Sequence, residues 1–181
     1  GATGEFKGTF DGNGKTIRNL NVNVSGKTRA GLFANCIGYI QNLTVENANI
    51  TGQGMSGVII GNAQCTRIDN CHVRKAVVTT TPYEKDNGGH AGAIAGYVSA
   101  DGTAWVKNCS VAEATIAAYR DVAALVGTAT RSNNNSAVIS DNKVDNVTVI
   151  ADQTAEYAEV KDCNAGAIVG RNIAATLNGN E

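Results

Sequence analysis

The chain has 181 residues, a formal net charge of −1 at pH 7 and only 5% aromatic residues, although 43% of its residues are hydrophobic. A nearly neutral charge argues against the basic surface that binds nucleic acids or anionic membranes, and no apolar run is long enough for membrane insertion. Glycine and asparagine each occur 21 times and proline once, and this composition, with many Val, Ile and Ala residues, favours strands and turns over helices.

A short motif recurs along the chain: an apolar residue, any residue, Asn, Leu or Cys, any residue, then Val. It reads "IRNLNV", "IQNLTV", "IDNCHV" and "VKNCSV", with a degenerate fifth copy "ISDNKV", and the copies start near residues 17, 40, 68, 106 and 139. A second alternating stretch follows each of the last four copies. A glycine-rich block, such as "GVIIGN" at Gly57 or "GAIAGY" at Gly92, then follows every copy. This pattern therefore predicts that each unit contains three short strands and loops of unequal length.

A unit of this size cannot bury its apolar face alone, so neighbouring units must stack to build one core. Parallel strands normally need a helical crossover, and the sequence has no amphipathic helix to supply one. We therefore predict an all-β fold, a right-handed parallel β-helix (solenoid) of about five turns with three short strands per turn. Residues 1–181 are expected to form this single domain, and because the chain opens directly into patterned sequence we expect a fragment of a larger protein.

Asparagines hold the same place in four copies of the motif, and this predicts a ladder of stacked amides inside the coil. The ladder residues are Asn19, Asn42, Asn70 and Asn108. Each amide can donate to the carbonyl oxygen of the next, and Asn tolerates the left-handed backbone that a sharp bend requires. In the fifth copy Asp141 takes the ladder position and Asn142 the apolar slot, which we interpret as an irregularity near the end of the stack.

The five cysteines cannot all pair within one chain, and none forms a CxxC motif. Cys71 and Cys109 would be neighbours in adjacent units, where stacked thiols are favoured over a strained disulfide. Whether Cys36 pairs with Cys65 stays open. His72 is the only histidine beside a cysteine, and neighbours on a strand point to opposite faces, so we expect no metal and no cofactor.

The glycine-rich blocks "GVIIG", "GAIAG" and "GAIVG" resemble the GLUG motif, and the opening "FKGTFDGNGKTIRNLNV" resembles the entry segment common in bacterial surface proteins that carry it. The chain departs from the repeat at Ala123 and Asn35, where a glycine is missing. The resemblance implies a large secreted or cell-surface bacterial protein of adhesin-like character. Some members are immunoglobulin A-specific peptidases, in which the metalloprotease chemistry resides in a separate domain.

Enzymatic motifs are missing from the sequence. "GGHAGAIAGYV", residues 88–98, looks like a phosphate-binding loop, but Tyr97 follows Gly96 where a Walker loop needs Lys, and the fivefold recurrence favours packing. Neither HExxH nor GxSxG occurs. A polysaccharide lyase or hydrolase on this scaffold would need neighbouring carboxylates. The outward row lacks them: it reads Arg18, Gln41, Asp69, Lys107 and Ser140. We therefore expect no catalytic residues in this chain.

Two long insertions are the candidate binding segments, because specificity in repeat proteins tends to reside in loops on one face. Tyrosine with charged neighbours suits contact with sugar or protein. Residues 80–90 contribute Tyr83, Glu84, Lys85, Asp86 and His90. Residues 151–162 contribute Tyr157 and Glu159.

These observations predict a non-catalytic, extracellular or cell-surface module, a stalk or display platform for adhesion to a host glycan or protein. Its other partners would be the remaining domains of the parent protein. A polysaccharide-processing enzyme on the same scaffold is the alternative, and an accessory domain of a peptidase whose catalytic domain lies outside this chain is a second. The ligand and the oligomeric state stay open.

Overall fold

The computed structural model describes residues 4–26, 28–84, 87–100, 104–131, 135–152 and 163–181. All of the regular secondary structure in these ranges is β-strand. The strands are β1 (Thr9–Arg18), β2 (Asn21–Asn23), β3 (Thr28–Ala30), β4 (Phe33–Cys36), β5 (Tyr39–Ser56), β6 (Ile60–Gln64), β7 (Arg67–Glu84), β8 (Asn87–Gly88), β9 (His90–Ala91), β10 (Ala95–Ala100), β11 (Trp105–Lys107), β12 (Ser110–Ala118), β13 (Asp121–Ala123), β14 (Val126–Arg131), β15 (Val138–Ser140), β16 (Lys143–Ala151), β17 (Asn164–Gly166), β18 (Val169–Asn172) and β19 (Thr176–Asn178).

The strands form two sheets, and parallel pairing dominates both. The larger, curled sheet has 14 strands, with the central order β17-β13-β9-β5-β7-β11-β15-β19. The smaller sheet has 5 strands in the order β18-β14-β10-β6-β4. Among the described residues, the antiparallel pairing is confined to β7 and β8. The prediction of an all-β chain of parallel strands is therefore confirmed.

The motif copies pair in register with one another. We use "row" for residues that face one another on successive parallel strands. The first apolar residues of four copies form one buried row: Ile40, Ile68, Val106 and Ile139. Leu177 extends this row beyond Ile139, so a further, degenerate copy of the motif lies near the C-terminus.

The first copy is out of the predicted register. Ile17 faces Val45, and Phe10 takes the place opposite Ile40. The pairing of β1 with β5 shifts between Asp11 and Lys15. The unit predicted to start near residue 17 therefore starts near Phe10. Ile17 takes the place of the final Val of the motif, and Val22, opposite Ile50, falls in the second alternating stretch of that unit.

The glycine-rich blocks lie where the two sheets approach each other closely. A Cβ on Gly96 would lie 2.5 Å from the backbone nitrogen of Ser56, and one on Gly127 would lie 2.7 Å from that of Ala91. Gly170 faces Val122 in the same way, at 2.7 Å. Because only glycine leaves room for backbone at these distances, the recurring glycine serves packing between strands of the smaller and the larger sheet.

The motif asparagines lie at bends with left-handed backbone. Their φ angles are +58° at Asn19, +53° at Asn42, +51° at Asn70 and +54° at Asn108. The prediction of a ladder inside the coil is wrong, however, because these side chains are half-buried or exposed at the outer edge of the bend. Among these four residues, one side-chain hydrogen bond joins two of them: Asn70 Nδ2 donates to Asn42 Oδ1 at 2.9 Å.

The other two members have different partners. Asn108 donates to Asp69 Oδ1 at 2.8 Å, in place of Asn70. Asn19 Oδ1 accepts from Asn47 Nδ2 at 2.6 Å, because the register of β1 places Asn19 beside Asn47 instead of Asn42. The ladder is therefore a set of separate outer contacts, and it does not run through the core.

A buried amide, bonded to a half-buried one, occurs where the sequence indicated an irregularity. Asn142 is 1% exposed, and its Oδ1 accepts from the backbone nitrogen of Cys109 at 2.9 Å. Its Nδ2 donates to the carbonyl oxygen of Val106 at 3.0 Å and to Asn180 Oδ1 at 2.9 Å. Asn180 in turn donates to the carbonyl oxygen of Ile139 at 2.9 Å. These amides satisfy backbone groups in the slot that Leu or Cys fills in earlier units.

All five cysteines are free thiols, Cys36 and Cys65 included. Cys71 and Cys109 are both buried. Burial, together with the neighbouring Cys71 thiol, raises the pKa of Cys109 well above its usual value. Both thiols therefore act as small core side chains, as the sequence predicted.

Candidate binding site

The sequence predicts a binding loop at residues 80–90, and the described part of it is a hairpin. β7 continues through Tyr83 and Glu84, and β8 turns back along it, with Pro82 facing Gly88. Lys85 and Asp86 lie outside the described residues. The same holds for Tyr157 and Glu159 in the second insertion. Binding by these residues stays a prediction.

His90, at the end of that insertion, lies inside the fold and is 8% exposed. Its Nδ1 is 2.9 Å from Asp121 Oδ2 and 2.9 Å from Thr128 Oγ1. The Thr128 hydroxyl also donates to Asp121 Oδ2 at 2.8 Å, and Asn164 Nδ2 donates to Asp121 Oδ1 at 2.8 Å. The structure therefore places His90 in an internal polar cluster, where it offers little surface to an external ligand.

This polar cluster has the composition of a nucleophilic triad but not its geometry. A triad needs the hydroxyl and the carboxylate on different ring nitrogens, whereas both lie at Nδ1 of His90. Burial acts to raise the pKa of Asp121, but hydrogen bonds from His90, Asn164 and Thr128 outweigh it and lower that pKa below its usual value. Because Thr128 belongs to β14 of the smaller sheet and Asp121 to β13 of the larger, the cluster ties the two sheets together.

A group of aromatic and cationic side chains lies on the outer face of the larger sheet. Tyr39, Arg67 and Trp105 face one another on β5, β7 and β11. Each stands one position before the buried row, so the alternation of a strand directs it outward. Lys107 is the next outward side chain on β11. We call these four residues the Trp105 cluster.

The cluster is held together by contacts to the Trp105 ring. Arg67 Cζ lies 4.8 Å from the centroid of that ring, and Lys107 Nζ lies 5.4 Å from it. The Tyr39 ring meets Trp105 edge-to-face, with centroids 6.4 Å apart and an interplanar angle of 78°. Cation–π contacts at such partly exposed sites contribute about 0.5–1 kcal/mol each. They orient the two cations on a rigid sheet.

Both cations of the cluster keep their charge available. Among the described residues, neither Arg67 nor Lys107 forms an ion pair. The carboxylate of nearby Asp69 accepts from Asn108 Nδ2 at 2.8 Å and from the Tyr39 hydroxyl at 3.4 Å. Burial, followed by the charge of Asp69, raises the pKa of Tyr39, so its hydroxyl stays a donor at neutral pH. Asp69 faces Lys107 and stays negative, so two cations beside one carboxylate give the outward face of the cluster a net positive charge.

A groove of about 400 Å³ adjoins the Trp105 cluster and shares two of its residues. Its lining includes Tyr39, Arg67 and Lys7 together with Gly8 and Gly38. These glycines have no side chains to fill the space, and the backbones there approach closely, since a Cβ on Gly38 would meet the backbone of Gly8. The groove and the cluster form one continuous surface of cationic, aromatic and hydroxyl groups.

Metal and membrane features can be stated for the described part of the chain. There, no three or more His, Cys, Asp and Glu side chains gather in a way that could hold a metal ion. No helix in the same ranges has the length and apolar character needed to cross a membrane.

The sequence predictions missed the Trp105 cluster because they looked for binding residues in the insertions. A usable signal was present: Tyr39, Arg67 and Trp105 each stand immediately before the first apolar residue of a motif copy. Trp105 is also the single tryptophan of the chain. Aligning the copies thus places these residues in one outward row, but the contacts between their side chains required the structure.

Comparisons with known proteins give a partial likeness. No protein-family model matches the chain. It is 39% identical to halomucin from Haloquadratum walsbyi over 99 residues, which are 54% of this chain and 1% of halomucin. The chain thus spans about one hundredth of the curated relative that it matches. No solved structure matches it. These findings leave the function to be argued from the geometry.

Proposed function

We propose that the chain is a non-catalytic extracellular module that binds a saccharide through the Trp105 cluster and the adjoining groove. In this proposal the architecture is a right-handed parallel β-helix of about five turns with three short strands per turn. Parallel pairing between successive motif copies supports this architecture, as does the glycine-mediated contact between the two sheets.

The observation that carries the binding proposal is the row of Tyr39, Arg67 and Trp105 on one rigid outer face. The Tyr39 ring and its polar neighbours give a ligand an apolar surface with hydrogen-bonding edges, an arrangement suited to sugars, while the Trp105 ring holds the two cations in place. Because all three residues stand on paired strands, little conformational entropy is lost when a ligand orders them. The groove supplies a concave surface beside the row.

Carboxylate placement favours binding over catalysis. Asp11 and Asp69 share an outward row, but Gln41 lies between them. Hydrogen bonds from the backbone of Asn13 and from the side chains of Asn42 and Gln41 lower the pKa of Asp11, which disfavours it as a general acid. Two strand spacings, about 9.6 Å, separate Asp11 from Asp69, so this row lacks the close carboxylate pair of a retaining glycosidase.

An extracellular or cell-surface location belongs to the same proposal. The resemblance of the glycine-rich blocks to the GLUG motif supports it, with the remaining domains of a parent protein as structural partners. The match of 99 residues to 1% of halomucin supports the view that such a segment occurs inside very long chains.

A glycan array tests the binding proposal with two matched double variants. Tyr39→Ala with Trp105→Ala removes the aromatic residues of the cluster, and Tyr83→Ala with Tyr157→Ala removes those of the insertions. We expect the wild type and the insertion variant to bind the same glycans and the cluster variant to lose them. The reverse pattern would move the site to the insertions, and an absence of binding by the wild type would overturn the proposal. Release of new reducing ends from a bound polysaccharide would overturn the non-catalytic assignment.

A further inference from the structure

We propose that the Trp105 cluster selects an anionic saccharide, one that carries carboxylate or sulfate groups. This inference rests on the proposed saccharide-binding function and adds the chemical class of the ligand. Its basis is that the face of Trp105 is engaged by two cations, so the groups offered to a ligand are the N–H donors of Arg67 and Lys107.

The first argument concerns the charge of Arg67. Its guanidinium is exposed, forms no ion pair within the described residues and lies 4.8 Å from the Trp105 ring centroid. A guanidinium held over an aromatic ring without an ion-pair partner keeps donors free to meet a carboxylate or sulfate with two parallel hydrogen bonds. The cation–π contact restrains the guanidinium before the ligand arrives, which lowers the entropic cost of binding.

The second argument concerns the acid nearest to the cations. Asp69 faces Lys107 on the neighbouring strand and keeps its negative charge, but within the described residues it forms no ion pair with Lys107 or Arg67. Two cations beside one carboxylate leave a net positive charge. The chain as a whole has a net charge of −1, so the positive face is a local feature and not a consequence of composition. Lys7, which lines the groove, adds a third cation, although Glu5 lies 3.6 Å from its Nζ.

The third argument separates a saccharide from other anions. An acidic peptide would need only the charges, whereas a sugar ring can also donate a hydrogen bond from a hydroxyl to the Tyr39 oxygen, whose own proton points to Asp69, and can occupy the groove beside it. Thr9 and the backbone around Gly8 and Gly38 line that groove together with Arg67. A chain of sugar rings can lie in the groove and present an acidic group to the cations at its end.

Dextran, carboxymethyl dextran and dextran sulfate are suitable probes, because they share one backbone and differ in charge. Calorimetric titration of the wild type should give binding to one or both anionic forms and at least about tenfold weaker binding to dextran. Affinity for the anionic form should fall when salt rises from 0.1 M to 1 M, since the Debye length shortens from about 10 Å to about 3 Å. Comparing the two anionic forms tells carboxylate from sulfate.

Two variants localise the effect, each with a charge-matched control. Arg67→Gln should weaken binding of the anionic dextran about tenfold or more, whereas Arg131→Gln, which removes an exposed arginine on β14, should not. Lys107→Gln is paired in the same way with Lys143→Gln, an exposed lysine on β16. Circular dichroism of each variant checks that the fold is retained, and the salt dependence of the wild type does not depend on any variant.

The outcomes distinguish this inference from the proposed function. Equal binding of dextran and its anionic forms, abolished by Trp105→Ala, would overturn the inference and leave saccharide binding intact. Failure of every dextran and of every glycan on the array would overturn both. Polyglutamate bound as tightly as the anionic dextran would overturn selection of a saccharide and indicate an acidic protein partner.

Discussion

Adding one methyl group at Gly96 is the sharpest perturbation that the fold offers. Gly96 is the second glycine of its block and lies on β10, where the backbone of β5 passes directly over it. A Cβ there would lie 2.5 Å from the backbone nitrogen of Ser56, 2.8 Å from its carbonyl oxygen and 2.9 Å from the carbonyl oxygen of Gly61. All three neighbours are backbone atoms of paired strands, so none can turn aside as a side chain would.

The size of the effect follows from these distances. Ordinary van der Waals contact of a Cβ begins at 3.4 Å, so Gly96→Ala must move backbone by 0.5–0.9 Å in three places (3.4 − 2.9 and 3.4 − 2.5). Inserting atoms into a well-packed core costs about 1–3 kcal/mol, and strain in backbone puts this case at the upper end. Replacing glycine by alanine also lowers the conformational entropy of the unfolded chain, which stabilises the folded state by about 0.4–1 kcal/mol. We expect a net loss of about 2 kcal/mol or more.

Urea denaturation measures this loss, with Gly4→Ala as the control. A Cβ on Gly4 would meet no atom within 4 Å, so the same chemical change there should leave the free energy of unfolding within about 0.5 kcal/mol of the wild type. Because about 1 kcal/mol corresponds to 2–4 °C in a chain of this size, Gly96→Ala should lower Tm by at least about 4 °C. A Gly96→Ala protein as stable as Gly4→Ala would refute the packing role of the glycine-rich blocks.

Two further variants test buried polar groups. Asn142→Ala leaves the backbone nitrogen of Cys109 and the carbonyl oxygen of Val106 without their side-chain partner. Urea denaturation should therefore show a free energy of unfolding lowered by about 2–4 kcal/mol. A decrease below about 1 kcal/mol would contradict the role of that amide. The folded-state pKa of Asp121 is lowered, so its stabilising contribution is complete above the unfolded pKa of about 3.9 and is lost as pH falls through the folded pKa. Between pH 5 and pH 2 the urea midpoint of the wild type should therefore fall more steeply than that of Asp121→Asn, and parallel curves would contradict this assignment.

The repeated motif made much of the fold predictable. Alternation with period 2 identified the buried row that contains Ile68 and Val106, and recurrence of the motif indicated that like strands pair in parallel. The first copy was misplaced because residues 12–14 stand between Asp11 and Lys15, where Asn42 alone stands between Gln41 and Leu43. This insertion breaks the motif spacing and places Lys15 opposite Leu43.

The site was less predictable than the fold. A left-handed residue at a bend turns its side chain away from the alternation of the flanking strands, and the asparagines predicted inside therefore lie at the outer edge. Likewise, the position of His90 after a long insertion gave no sign that Asp121 and Thr128 would enclose it. The contact between Arg67 and Trp105 joins residues 38 positions apart in the sequence. Aligning the motif copies predicts that the two residues face each other, but it does not predict how their side chains are oriented.

The emission of Trp105 during a titration with anionic dextran tests the central claim most directly. Because the chain has one tryptophan, every change in its emission reports on the cluster. We predict a saturable change in intensity or wavelength whose midpoint equals the dissociation constant from calorimetry and which 1 M salt suppresses. Emission that stays constant while calorimetry shows saturation would place the ligand elsewhere on the protein and contradict the account.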